Sequence, residues 1–136
     1  MGANLALVPD PHWCWFETPA GGLAARDDLL RIQRSNPRAV ANALLGMKRV
    51  MEGGTRDGAS KPLRDGIREV KVRDGSVHVR VLYFVDHPHW VAAKAVVKKR
   101  RNVDPDDIEA VAKIKRSWTK AQCSGVLAIP IELPRK

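Results

Sequence analysis

Apolar residues recur along the chain at two different spacings, which together predict an α+β fold. Over residues 37–53 they recur every three or four positions, as on one side of a helix, and Asn36 before Pro37 is a helix start signal. Similar but shorter patterns predict an earlier helix from about Ala24 to Ser35 and a final helix that follows Asp104 and Pro105. An aromatic stretch at residues 12–18, bounded by prolines, predicts a short strand.

The range Ile67–Val97 is rich in β-branched residues and predicts three antiparallel strands. Asp74-Gly75 is predicted as a two-residue type I′ loop, which would place Glu69 opposite Arg80 and Lys71 opposite His78. In that register the valines fall on a face that helices cover. The other face collects polar side chains, namely Glu69, Lys71, Arg73, His78 and Arg80.

The third strand and the C-terminal tail are less regular. A regular strand from Trp90 would place Lys94 on the valine face, so we expect a β-bulge there. The tail, Gly125–Leu133, is apolar and broken by proline, and the sequence leaves open whether it adds an edge strand. With 136 residues the chain is expected to form one domain, with a core over about residues 12–118 and a C-terminal extension over 119–136.

Positive charge is concentrated in the middle of the chain. The net charge is +9, and residues 61–101 contain eleven Lys and Arg against four Asp and Glu, whereas both ends are nearly balanced. A basic surplus of this kind indicates a polyanionic partner, most commonly a nucleic acid. A solvated basic surface with no target is the alternative.

Cysteine and histidine offer little support for a metal site. Cys14 and Cys123 are the two cysteines and have no close metal-ligand spacing, so both are interpreted as reduced thiols. His87 and His89 lack a third ligand nearby and are interpreted as turn residues. No metal and no cofactor is expected. The sequence shows no signal peptide and no apolar run long enough for a membrane span, so a cytoplasmic protein without membrane contact is expected.

The order of elements and three segments resemble the phage-derived HigB group of the RelE/ParE toxin superfamily. The segments are KPLRDGIREVKV at residues 61–72, VRVLYF at 79–84, and VKK at 97–99 followed by a helix. The resemblance implies a RelE-like α+β fold, in which a small antiparallel sheet packs on N-terminal helices and is followed by a C-terminal helix. It also implies the toxin of a type II toxin-antitoxin pair, which cleaves mRNA on the ribosome and is neutralised by a helix-turn-helix antitoxin.

The residues themselves are compatible with a metal-independent endoribonuclease. The RNA 2′-OH would be the nucleophile, so the protein must accept its proton, stabilise the phosphorane and protonate the leaving 5′ oxygen. Arg80 matches the family's arginine and is the first candidate for phosphate stabilisation, although an ion pair with Glu69 is an equally good interpretation. His78 and Lys71 are the candidates for proton transfer. The resemblance adds Lys98, from the Lys-rich segment beside the RNA-facing surface.

Further cations are predicted to bind the RNA backbone, namely Lys61, Arg64, Arg68, Arg73, Lys99, Arg100 and Arg101. Tyr83 falls on the valine face and is predicted to be a core residue, as are Met47 and Met51. Two other classes remain open at this stage. A ParE-like gyrase inhibitor would share the fold without nuclease chemistry, and a non-catalytic nucleic-acid-binding module would need only the basic face.

Overall fold

The computed structural model describes residues 11–53, 60–98, 103–123 and 129–130. Within these ranges the chain forms six strands and three helices. The strands are β1 (His12–Trp15), β2 (Ser60–Pro62), β3 (Ile67–Asp74), β4 (Val77–Asp86), β5 (His89–Lys98) and β6 (Ile129–Pro130), and the helices are α1 (Ala24–Gln33), α2 (Pro37–Gly53) and α3 (Pro105–Cys123). The α+β class and the three predicted helices are confirmed, and β2 is a strand that the sequence did not predict.

All six strands form one sheet in the order β2-β3-β4-β5-β1-β6. The expectation of an antiparallel sheet is wrong in one respect, because β1 runs parallel to β5. Local sequence could not reveal this neighbour, since no short turn links the two strands. The tail does contribute an edge strand, in which Pro130 lies opposite Cys14 and Ile129 opposite Trp15. Proline is tolerated at a sheet edge because its missing N–H is not needed there.

The β3–β4 hairpin turns one residue later than predicted. Asp74 pairs with Val77, so the loop consists of Gly75 and Ser76. Gly75 has a positive φ of 61°, and Ser76 does not have a positive φ. This is the pattern of a type II′ loop rather than type I′. The shift moves every cross-strand partner by two positions. Because side chains alternate with a period of two, each residue nevertheless stays on its predicted face.

One face of the sheet packs against α1 and α2, as predicted. Val70, Val79, Val81 and Tyr83 meet a helix surface that includes Val40, Ala43, Met47 and Val50. The predicted core positions of Tyr83 and Met47 are confirmed, and Met51 packs against the same cluster. This layer fixes the orientation of the sheet, so that the opposite side of β3 and β4 carries the polar residues.

The opposite face is only partly open, because α3 covers one end of it. Val111, Ala112 and Trp118 of α3 pack over strand residues that include Ile67, Leu82, Phe84 and Val91. Cys14 is buried in the same cluster, and burial, with a smaller contribution from Asp86, raises the pKa of its thiol to about 12. Among the described residues, α3 thus divides the predicted basic face into an apolar end that it covers and a polar end that it does not cover.

The expected bulge is confirmed in the β4–β5 pair. The register shifts between Leu82 and Tyr83, which places Lys94 opposite Leu82 on the α3 side of the sheet. There its ammonium lies 3.9 Å from an Asp107 carboxylate oxygen. The bulge thus keeps a charged side chain out of the valine layer.

The start of α3 also follows the sequence signal, and its side chains attach it to the β2–β3 turn. The Asp106 backbone N–H donates to the Asp104 carboxylate at 2.8 Å, an N-cap interaction ahead of Pro105. Farther along the helix, the Lys115 ammonium donates to the Asp65 carbonyl in a turn where Asp65 and Gly66 both have positive φ. No helix within the described residues has the length and hydropathy needed to cross a bilayer.

Candidate nucleic-acid interface

The structure brings four predicted site residues together on the uncovered end of the α3 face. Lys71 lies directly opposite Arg80 in the strand ladder, and Arg73 lies directly opposite His78. Lys71 and Arg73 are exposed, His78 is half-buried and Arg80 is buried. Side chains directly opposite each other in an antiparallel pair are near neighbours. The β3–β4 hairpin therefore presents two adjacent rows of basic and titratable side chains.

The backbone of β5 extends one of these rows. Lys98 pairs with His78 from the other side, so Arg73, His78 and Lys98 occupy one cross-strand row over three strands. Three predicted RNA-binding residues, Lys99, Arg100 and Arg101, lie outside the described residues. Their contribution stays a prediction from the sequence.

Glu69 and Arg80 form a buried ion pair. Their side chains are 1% and 3% exposed, and Arg80 Nη1 lies 3.4 Å from Glu69 Oε2. The predicted direct opposition of these residues is wrong, because the turn shift places Glu69 opposite Leu82 and makes the ion pair a diagonal contact. The ion pair itself is the alternative that the sequence left open for Arg80. Each charge is removed from water here, which costs free energy unless the other compensates it.

The ion pair lines a cavity of about 280 Å³ between the sheet and the start of α3. The sequence did not predict this cavity, because its lining comes from separate segments that only the tertiary structure brings together. The lining residues are Lys61, Pro62, Leu63, Arg64, Glu69, Arg80, Val103 and Ile108. Val103 and Ile108 are isolated apolar residues, and the sequence does not show whether such residues line a cavity or belong to the core.

Two of the predicted RNA-binding cations lie at this cavity. Lys61 is exposed and directly opposite Glu69 in the β2–β3 ladder, which puts it on the same face as the ion pair. Arg64 is exposed but pairs with Asp65 at 3.0 Å and with Glu109 at 2.9 Å. The hydrogen bond between Arg64 and Glu109 raises the pKa of the Arg64 guanidinium and lowers the pKa of the Glu109 carboxyl group. Lys61 is thus the less neutralised of the two positions.

Arg68, also predicted to bind RNA, lies on the other face of the sheet from Lys61, Lys71 and Arg73. It lies directly opposite Tyr83, on the α2 side of the sheet. Its Nε and Nη2 both donate to Ser60 Oγ at 3.2 Å, and Ser60 Oγ is 3.0 Å from the Tyr83 hydroxyl. Arg68 therefore belongs to a polar network at the margin of the core between the sheet and α2. The alternation of side chains along β3 could have indicated that Arg68 lies on this side of the sheet.

The histidines near the β4–β5 turn do not form a metal site in the part of the chain that is described. His87 lies in the turn, as predicted, whereas His89 begins β5 and packs edge-on against Trp118 at 5.5 Å between ring centroids. Among the described residues no group of three or more His, Cys, Asp or Glu side chains is placed to hold a metal ion.

Most of the chain, including the candidate interface, is similar to known proteins. Residues 30–116 match the family model described as phage derived protein Gp49-like (DUF891), which spans well over half of the chain. The chain belongs to the Gp49-like family. This is a family of RelE/HigB-like toxins, so the resemblance to HigB is confirmed. The matched range contains α2, the whole β3–β4 hairpin and most of α3.

Two curated relatives match the Gp49-like chain over a similar length. Each is named "Probable endoribonuclease HigB1", one from Mycobacterium tuberculosis (strain CDC 1551 / Oshkosh) and one from a second strain of that species. Each is 30% identical over 84 residues, which are 62% of this chain and 67% of the relative. The endoribonuclease activity in this name is that of the relatives and is a basis for a proposal about this chain.

Proposed function

We propose that this protein is the toxin of a type II toxin-antitoxin pair and cleaves mRNA on the ribosome. The observation on which the proposal depends is the pairing of Lys71 with Arg80 and of Arg73 with His78 on the part of the sheet face that α3, among the described elements, leaves uncovered. Membership of a HigB-like toxin family and a relative named as an endoribonuclease support the same activity. The proposed partners are mRNA in the ribosome and a helix-turn-helix antitoxin.

The exposed residues are the best placed to act on the scissile phosphate. Lys71 is exposed, whereas Arg80 is buried against a carboxylate that would repel a phosphate. The proposal therefore assigns phosphate stabilisation to Lys71 and to the neighbouring Arg73, rather than to Arg80 as the sequence indicated. Such cations stabilise the negative charge that increases on the phosphorane oxygens.

His78 is the proposed proton-transfer residue, and in the strand ladder it pairs with Arg73 on one side and with Lys98 on the other. An imidazole can accept a proton from the 2′-OH or give one to the leaving 5′ oxygen near neutral pH. The products would be a 2′,3′-cyclic phosphate or 3′-phosphate and a 5′-OH. The ribosome would supply the in-line geometry that flexible RNA lacks, which is worth several kcal/mol.

The test is cleavage of an mRNA by the purified protein, with and without translating ribosomes. New 5′-OH ends are expected only with ribosomes. They should still appear when the protein is freed of bound metal by EDTA and gel filtration before it is added to ribosomes in Mg²⁺ buffer, because attack by the 2′-OH requires no metal ion held by the protein. Lys71→Ala is expected to lose about 10²- to 10³-fold in rate, the usual effect of removing one transition-state donor. His78→Ala should lose a comparable amount.

The matched control is Lys48→Ala, which removes an exposed lysine from α2 on the other side of the sheet. It should cleave at the wild-type rate. The absence of new 5′-OH ends from translating ribosomes would show that the protein is not a nuclease of this kind. Full activity in both Lys71→Ala and His78→Ala would place the chemistry elsewhere.

A cellular experiment tests the toxin assignment separately. Induced expression of the chain alone is expected to arrest bacterial growth, and co-expression of its antitoxin should restore growth. Lys71→Ala should be tolerated at the same protein level. Normal growth with abundant folded wild-type protein would contradict a toxin role.

A further inference from the structure

The cavity beside Lys61 has a floor that suits a neutral polar ligand better than a phosphate. Glu69 and Arg80 both line it, and together they contribute no net charge. An anion at Arg80 would lie close to the Glu69 carboxylate and would be repelled by it. A bound group that both donates and accepts hydrogen bonds avoids this repulsion.

The chemistry of the ion pair narrows the choice of ligand. A carboxylate only accepts hydrogen bonds and a guanidinium only donates them. The pair therefore complements an edge with N–H donors on one side and a carbonyl acceptor on the other. Guanine has this edge, because its N1–H and N2 amino group are adjacent donors for a carboxylate and O6 is an acceptor beside them. Adenine offers one amino donor on that edge, and its neighbouring N1 is an acceptor.

The distance within the ion pair is compatible with a ligand that competes for both partners. Arg80 Nη1 and Glu69 Oε2 are 3.4 Å apart. Close charge-assisted hydrogen bonds of this type measure about 2.7–2.9 Å. The guanidinium and the carboxylate are thus in contact, but at a longer distance than in the closest charge-assisted hydrogen bonds. Hydrogen bonds from a base could replace part of this interaction without leaving either charge unpaired.

The walls and the rim of the cavity fit the rest of a nucleotide. Leu63, Val103 and Ile108 are apolar, half-buried or buried, and can contact the faces of a planar base. Lys61 is an exposed lining residue, positioned for a backbone phosphate, whereas Arg64 lines the same cavity but is paired with Asp65 and Glu109. A volume of about 280 Å³ is sufficient for one purine base and too small for a helical element.

We propose that this cavity binds a guanine base of the RNA substrate, with Glu69 and Arg80 as the residues that recognise its Watson–Crick edge. The inference deepens the proposed function, since it names the base preference of the same protein face. Lys71, Arg73 and His78 would act on the phosphate, while the cavity selects a neighbouring nucleotide. Cleavage would then occur preferentially at sites with a guanine at one fixed position.

The first test changes the RNA and leaves the protein intact. Three five-nucleotide RNAs with 2′-O-methyl sugars, which resist cleavage, differ only in a central guanosine, inosine or adenosine between uridines. Inosine lacks only the N2 amino group of guanosine. Loss of one hydrogen bond to a charged acceptor should weaken binding by about 10- to 100-fold, measured as a dissociation constant by fluorescence anisotropy. Equal affinity for all three RNAs, or tightest binding of adenosine, would overturn the proposal.

A second test blocks the cavity without altering the ion pair. Ile108→Trp fills the space from α3, and Lys113→Trp places the same side chain at an exposed position of that helix. Ile108→Trp should abolish the preference for guanosine over inosine, and Lys113→Trp should retain it. Thermal unfolding of both variants confirms that they are folded. A preference that persists in folded Ile108→Trp would overturn the proposal.

Mapping of 5′-OH ends from translating ribosomes separates this proposal from the proposed function. Cleavage sites enriched for guanine at one fixed position support both. Cleavage without any base preference overturns the guanine site and leaves the nuclease assignment intact. Selective binding of the guanosine RNA without any cleavage supports the guanine site and contradicts the nuclease.

Discussion

Glu69 and Arg80 carry opposite charges on side chains that are almost fully buried. Removal of one partner leaves the other charge buried and uncompensated, and this is more damaging than replacement of both by apolar groups. A loss of activity in an Arg80 variant therefore mixes lost function with lost stability. Lys71, which is exposed, is the cleaner position at which to test the chemistry.

Arg80→Met is expected to lower the free energy of unfolding by about 3–5 kcal/mol, because it leaves the Glu69 carboxylate unpaired. The double variant Glu69→Leu/Arg80→Met should be more stable than Arg80→Met alone. Urea denaturation followed by circular dichroism measures both. Arg73→Met is the control, since Arg73 is exposed on the same strand face, and it should change stability by less than about 0.5 kcal/mol. Equal losses in the single and double variants would contradict an energetic coupling between the pair.

At the scale of elements, α2 approaches the sheet closely at Gly46. A Cβ atom at this position would lie 2.8 Å from Val72 Cγ1 and 3.1 Å from Val70 Cγ1, which is closer than such atoms pack. The missing side chain thus allows the helix to rest directly on β3. Because β3 carries Glu69 and Lys71 on its other side, the position of this helix also sets that of the candidate interface.

Gly46→Ala tests this contact. Alanine favours a helix over glycine by about 1 kcal/mol, but the clash with Val72 is expected to outweigh that gain and give a net loss of about 1–2 kcal/mol. Gly53→Ala is the matched control, because no atom lies within 4 Å of the Cβ that it would add. It should be neutral or slightly stabilising. Thermal unfolding measures both variants, and a stabilised Gly46→Ala protein would show that helix and sheet can separate at no cost.

At the scale of the whole molecule, the proposed function uses one side of the sheet, although both sides carry positive charge. Exposed cations occur on both, with Lys71 and Arg73 on the α3 side and Lys48 and Arg49 on α2. Lys71 and Arg73 belong to the rows of candidate site residues, and Lys71 lies opposite Arg80, which lines the cavity. In the proposed function, net charge attracts RNA, and the fold of the sheet determines which cations are positioned to contact it.

The salt dependence of RNA binding distinguishes these two sets of cations. Each phosphate that a cation neutralises releases condensed counterions. A plot of the logarithm of affinity against the logarithm of salt concentration therefore has a negative slope, of about 0.7 per phosphate contact for single-stranded RNA. The double variant Lys71→Glu/Arg73→Glu should weaken binding to ribosomes or RNA and flatten this slope by one unit or more. Lys48→Glu/Arg49→Glu has the same change in charge and should leave the slope close to that of the wild type. Identical slopes in the two variants would indicate non-specific attraction.

The sequence by itself determined the elements that depend on local signals. The spacing of apolar residues predicted α2, and the proline and N-cap signals located the starts of α2 and α3. Alternation along β3 and β4 predicted which residues share a face. This prediction is correct although the turn was placed one residue too early, because that error shifts every cross-strand partner by two positions and so leaves each residue on its face. The poor fit of Lys94 to the valine layer predicted the bulge.

Only the tertiary structure decided what lies above the polar face. The parallel β1–β5 pair, the position of α3 over one end of the sheet, and the cavity all join segments that are far apart in the chain. No local pattern specifies such neighbours, because they are selected by how much apolar surface the whole chain can bury. For the same reason the sequence could assign Arg80 to the site but could not show that it is buried against Glu69.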